Sequence, residues 1–115
     1  MADGKTLFQK ILDGEIPGDL LHEDDHCGAF RDINPQAPVH VLIVPRRPIP
    51  AIEDMTEDDE RLVGHLFLVA TRVARALGLD NGYRLVINDG EDGQQTVPHL
   101  HVHLIGGRPL TWPPG

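Results

Sequence analysis

The sequence predicts an α+β protein built on an antiparallel sheet of about five strands with two helices. Three observations carry this expectation. Residues 56–77 place Leu62, Leu66, Val69, Val73 and Leu77 at steps of three and four, a single apolar stripe of helical period. Short β-prone runs lie on both sides of that segment, separated by turns, in a chain with 12 Gly and 10 Pro among 115 residues. The order is short helix, strands, long helix, strands; a doubly wound parallel sheet would need regular strand–helix alternation and more helix.

The first element falls at residues 5–13, where Leu7, Phe8, Ile11 and Leu12 share one helical face; Gly14 stops it and Pro17-Gly18 makes a turn. Leu20-Leu21-His22 and Gly28-Ala29-Phe30-Arg31 read as two short strands across the acidic turn Glu23-Asp24-Asp25. Asn34-Pro35-Gln36-Ala37-Pro38 is a loop, because its two prolines cannot donate to a ladder. His40-Val41-Leu42-Ile43-Val44 is a strand that ends at Pro45. The long helix has Thr56 as N-cap, four acids at residues 57–60 at the positive end of its dipole, and Gly78 as terminator. Tyr83-Arg84-Leu85-Val86-Ile87-Asn88 is a further strand, residues 89–96 form a polar glycine-bearing loop, and His99 to Ile105 is the last strand.

A chain of this size is expected to form one domain, residues 1–115, with pairing of two copies a plausible source of added stability. Its formal charge of −8 and pI near 5.1 argue against a nucleic-acid partner or an anionic membrane surface, both of which call for clustered Lys and Arg. The longest apolar run, Leu66 to Ala70, is far short of a membrane span. Cys27 is the only cysteine, so neither an internal disulfide nor a CxxC motif is possible. Met1-Ala2-Asp3-Gly4-Lys5 lacks the apolar core of a secretory leader, and a cytoplasmic location is expected. No Walker A or GxGxxG motif is present, so kinase-like and dinucleotide-binding functions have no support.

The chemistry is concentrated in His99-Leu100-His101-Val102-His103-Leu104-Ile105. Strict alternation on a strand puts Leu100, Val102 and Leu104 on one face and three imidazoles on the other, about 7 Å apart. Three uses of such a face compete. It is a polar strand face with no further role, on which Thr, Lys or Ser would serve equally well. It is a zinc site, with a third ligand such as His40. Or it is a site of nucleophilic and acid–base chemistry at phosphorus, since imidazole titrates near pH 7 and a covalent histidine adduct divides one displacement into two. Asn88, Gln94, Gln95, Thr96 and the loop backbone would then donate to the phosphoryl oxygens.

The heptad resembles the His-φ-His-φ-His-φ-φ signature of the histidine-triad (HIT) superfamily. Phe8 to Pro17, the run Phe30-Arg31-Asp32-Ile33-Asn34-Pro35-Gln36-Ala37-Pro38-Val39-His40, Gly82-Tyr83-Arg84, Asn88, Gly106-Gly107-Arg108 and the Trp112-Pro113-Pro114-Gly115 tail resemble its nucleotide-binding (Hint) branch. The resemblance implies a HIT-like fold pairing into a homodimer with a continuous sheet. It implies binding of purine nucleoside monophosphates and hydrolysis of nucleoside phosphoramidates without a cofactor. By the same resemblance His101 is the nucleophile, His99 and His103 flank it, and His40 relays the proton. Asp32 holds the ribose hydroxyls, and Phe8, Ile11, Ile16, Phe30 and Ile33 line the base slot. Asn88, Gln95, Thr96 and Val97 belong to the phosphate-binding loop, and Trp112 reaches the partner's site. By pattern alone Phe8, Ile11 and Ile16 read as core. His22 and His26 read as solvated, His65 as a surface or satisfied histidine, and Cys27 as structural.

The phosphate loop departs from the branch pattern. Gln94 stands where a glycine is typical, and glycine permits positive φ, so the loop conformation is left open. Thr96 keeps the hydroxyl of the usual serine and adds a methyl, which is expected to narrow the leaving-group pocket. Asp89, Glu91 and Asp92 are expected to ring the loop and repel a polyphosphate chain.

Overall fold

Five strands form one antiparallel sheet in the order β1-β2-β3-β5-β4. They span Leu20–Glu23 (β1), Cys27–Arg31 (β2), Val39–Pro45 (β3), Tyr83–Val86 (β4) and Val102–Gly106 (β5). Helix α1 covers Leu7–Leu12 and helix α2 covers Glu60–Ala76. The computed structural model describes residues 4–115, so part of the N-terminal stretch read above for a leader lies outside the described residues.

Alternation divides the sheet into two faces. Cys27 and Ala29 of β2, Val41 and Ile43 of β3, and Val102 and Leu104 of β5 pack with Val63, Leu66, Val69, Ala70 and Val73 of α2 into the main core. Phe30, Leu42 and Val44 point the other way, onto Phe8 and Leu12 of α1. Phe8 and Ile11 are therefore both a wall of the second cluster and, as shown below, part of a cleft.

Local chemistry explains the helix ends. Thr6 caps α1: its hydroxyl accepts from the Gln9 amide at 3.1 Å while the Gln9 side chain accepts from the Thr6 amide at 2.8 Å. Thr56 begins not α2 but a 3-10 turn, Glu57–Asp59, and its amide donates to Asp59 Oδ2 at 2.9 Å. The α-helical hydrogen bonding then starts at Glu60, later than the sequence predicts.

Two strand boundaries differ from expectation. The fourth strand stops at Val86 instead of Asn88. The last strand begins at Val102, so His99 and His101 precede it. The reason is a long-range exchange of partners: the Leu100 amide donates to Ile49 O at 2.6 Å, and Pro98 has no amide to offer. The β3–β5 ladder runs from Val39↔Gly106 to Ile43↔Val102.

Candidate active site

Register brings the first pair of imidazoles together. Leu42 of β3 lies opposite His103 of β5 and His40 lies opposite Ile105, which makes His40 and His103 diagonal neighbours on the α1 face. His40 Nε2 and His103 Nδ1 are 2.9 Å apart. The ring centroids of His101 and His103 are separated by 4.8 Å, closer than the spacing of alternate side chains on a strand; His101 precedes β5, after the bend at residues 97–99.

Backbone and side-chain partners fix every tautomer in the group. The Gln36 amide donates to His40 Nδ1 at 3.0 Å, so the neutral ring carries its hydrogen on Nε2 and donates to His103 Nδ1. His103 in turn holds its hydrogen on Nε2, a buried atom with no hydrogen-bond partner. His99 Nε2 donates to Pro45 O at 2.7 Å, leaving Nδ1 to accept from the Thr6 hydroxyl at 2.6 Å. His101 Nδ1 donates to His99 O at 2.7 Å. The Nε2 of His101 therefore carries a free lone pair.

Burial favours these neutral forms. It pushes the pKa of His40, His99 and His101 below the ordinary imidazole value. His103 is pushed down to about 4, by burial first and then by its neighbours His101 and His40. Asp32, whose carboxylate lies 3.5 Å from His40 Nε2, opposes the shift without reversing it. The edge of the Phe8 ring meets His101 with centroids 4.9 Å apart, which keeps water from one side of that imidazole.

A cleft of about 440 Å³ opens over this array. Phe8, Ile11, Ile16, Phe30, Asp32, Ile33, His40, Asn88, Thr96, Val97, His101 and His103 line it. Three site residues of the sequence reading lie elsewhere. His99 is fully buried beneath His101. Gln95 faces away, its side chain donating to Pro50 O and Val97 O. Trp112 is 79% exposed outside its own chain's cleft, with the Arg84 guanidinium 5.8 Å from its ring. Arg31, Asn34 and Gln36 line the cleft without having been singled out. The Gln36 amide acts through the backbone, which a side-chain pattern cannot reveal.

The loop preceding His99 keeps the conformation a glycine would give. Gln94 adopts φ 62°, the left-handed region, and lines the cleft. Asp89, Glu91 and Asp92 belong to the same loop but are not among the residues lining the cleft; Asp89 Oδ2 accepts the Glu53 amide at 2.9 Å. Asp32, His40 and His103 place ligand atoms within 4.8 Å of one another and could hold a metal ion, although the two imidazoles are already hydrogen-bonded to each other.

Fold and site together define an α+β protein of the histidine-triad type. The chain belongs to the HIT domain family, which it matches over residues 13–110. It is 54% identical over 110 residues to an uncharacterized HIT-like protein of Synechocystis sp., covering 96% of both chains. A HIT family hydrolase from Legionella pneumophila superposes with a TM-score of 0.94 at 49% identity, over 96% of this chain and all of that one. A histidine triad nucleotide-binding protein from Candida albicans superposes with a TM-score of 0.80 at 30% identity, over 96% of this chain and 85% of that one. The chain is thus a hydrolase-like member of the family.

Proposed function

We propose that the protein hydrolyses purine nucleoside phosphoramidates through a nucleotidyl adduct on His101. The observation that carries the reading is the fixed tautomer of His101: Nδ1–H is tied to His99 O, so the lone pair of Nε2 is available at a cleft with apolar walls. Phe8, Ile11, Ile16 and Phe30 would sandwich the base, and Asp32 would accept from the two ribose hydroxyls. Asn88, Thr96 and the Val97 backbone would donate to the phosphoryl oxygens, with Gln95 bracing their loop.

In the first step His101 Nε2 bonds to phosphorus and the P–N bond breaks; the amine leaves with that electron pair and a proton taken from solvent. In the second step a water oxygen bonds to phosphorus, its proton returns to solvent, and the His101–phosphorus bond breaks to release the nucleoside monophosphate. His103 Nε2–H, whose hydrogen His40 fixes on that nitrogen and which has no other acceptor, donates to the phosphoryl group as charge builds in each transition state. In this reading His40 orients His103. The same reading places the protein in the cytoplasm as a homodimer, with exposed Trp112 reaching the partner's cleft. No described helix is long and apolar enough to cross a membrane.

The test is release of AMP from an adenosine phosphoramidate by the wild type and His101→Ala, each with and without a chelator. Turnover that survives chelation and falls at least about a thousandfold in the variant, which still binds AMP, is the expected result. Turnover lost on chelation would favour metal chemistry at Asp32, His40 and His103. No turnover in any sample would leave a nucleotide-binding module.

A further inference from the structure

A second cluster of ligand-type side chains stands away from the cleft. His22 of β1 pairs with Ala29 of β2, which faces α2, so the cluster lies on the side of the sheet opposite His101. Asp24, in the turn between β1 and β2, accepts from the His26 and Cys27 amides through Oδ1, at 2.7 and 2.9 Å. This leaves Oδ2 aimed inward, where it meets three groups at once. His22 Nε2 is 2.7 Å away, His65 Nε2 from α2 is 2.8 Å away, and the thiol of Cys27 is 3.7 Å away. The His26 ring adds an edge contact to His65, with centroids 5.6 Å apart. The sequence reading of His22 as solvated is therefore corrected: both it and His65 are half-buried on one carboxylate.

We propose that His22, Asp24 and Cys27 form a binding site for one divalent transition-metal ion of the zinc class, closed from α2 by His65. The ligand atoms of the first three already lie within 4.8 Å of one another. The donor set, imidazole nitrogen, carboxylate oxygen and thiolate sulfur, suits tetrahedral zinc and excludes calcium or magnesium, which require oxygen shells. Zinc bonds of about 2.0 to 2.3 Å put neighbouring ligand atoms about 3.3 to 3.5 Å apart, so the sulfur needs almost no movement and His22 opens from Asp24 by about half an ångström. His65, which touches Asp24 but stands outside the 4.8 Å group, has to swing inward to become the fourth ligand.

Asp24 is already charged for this use, whereas the Cys27 thiol must first give up its proton. Burial pushes the Asp24 carboxyl up, but the hydrogen bonds from His22, His65 and the two amides outweigh it, and the group stays ionised. Burial, together with Asp24, pushes the Cys27 thiol up to about 12, so its proton leaves only in exchange for a cation and is released to solvent on binding. Arg46 is the neighbouring positive charge, and its guanidinium is engaged by Asp24 O and Glu23 Oε2. The ion would link the β1–β2 turn to α2, which already meet through Asp24, His26 and His65, and would act as a structural fastener independent of catalysis.

Titration with Co²⁺, and with Zn²⁺ in competition, tests the site without any use of activity. The expected result is one equivalent bound per chain, with a near-ultraviolet thiolate-to-cobalt band that Zn²⁺ abolishes. Because Cys27 is the only cysteine, that band reports this site and no other. It should vanish in Cys27→Ser, and affinity should drop at least about tenfold in His22→Gln and His65→Gln, whose folding is checked by circular dichroism. The melting temperature should rise with Zn²⁺ in the wild type and much less in His22→Gln. Should Cys27→Ser fail to fold, the two histidine variants decide. Absence of binding would overturn the proposal; binding without the sulfur band and unaffected by His22→Gln would also overturn it and assign the ion to Asp32, His40 and His103.

Discussion

A neutral imidazole has one nitrogen that donates and one that accepts, and in this chain neighbouring groups assign them. His101 gives its hydrogen to a main-chain carbonyl, and the same logic runs from the Gln36 amide through His40 to His103 Nε2. A pH prediction follows from the shifts. His101 must be neutral to attack, and burial holds its pKa below the usual imidazole value. The acid limb of kcat/KM, which reports the free protein, should therefore fall below pH 6.5, with a plateau at neutral pH; an acid limb above 7 would contradict the burial argument. Gln94 supports a second prediction at this scale. Its φ of 62° is costly for a side-chain-bearing residue, by about 1 kcal/mol or somewhat more. Gln94→Gly should raise stability by up to about 1 kcal/mol, since the greater entropy of unfolded glycine offsets part of the gain. Urea denaturation measures it, and a loss of stability would mean that the Gln94 side chain contributes more than its backbone costs.

At the scale of elements, α1 joins helix capping to catalysis through Thr6. Its hydroxyl accepts the Gln9 amide and donates to His99 Nδ1, and His99 in turn holds His101. Thr6→Val should cost about 1 to 3 kcal/mol, from the lost cap and from a buried ring nitrogen left without a donor. It should also lower kcat more than it raises KM; unchanged kcat with lowered stability would confine Thr6 to the cap. The elements themselves were largely legible, because the α2 stripe and the β5 alternation each face one buried layer, and β3 is a continuous apolar run because it is buried on both faces. The start of β5 was not: Leu100 takes Ile49 as partner, and nothing near residue 100 announces that choice. The triad and its loop were legible as a pattern, but the gathering of His22 and His65 on Asp24 was not, because α2 delivers His65 from 41 residues away. The spacing from Asp24 to His26 and Cys27 was the available signal, since a carboxylate that caps its own turn is held in one direction.

For the whole molecule, the sheet separates two kinds of chemistry. The α2 face carries the main core and the Asp24 cluster, and the α1 face carries the cleft and its neutral histidines. Holding four imidazoles neutral has a consequence for stability. The unfolded chain takes up protons near pH 6.5, whereas the folded histidines resist until lower pH, down to about 4 for His103. Stability is therefore greatest above 6.5 and declines as pH falls from 6.5 toward 4, where the unfolded state binds more protons; the low carboxyl of Asp24 extends the decline further down. Melting temperature followed from pH 7.5 to 5 should drop, and a flat profile would mean that the histidines are more hydrated than their burial implies. The claim that joins sheet, cleft and tautomers is that His101 Nε2 bonds to phosphorus. Its most direct test is rapid quench of an adenosine phosphoramidate reaction followed by mass spectrometry of the intact chain and its peptides. One adenylyl group on the peptide bearing His101, formed and lost within a turnover and absent in His101→Ala, is the predicted result; AMP release with no adduct at any time in the quench series would contradict it.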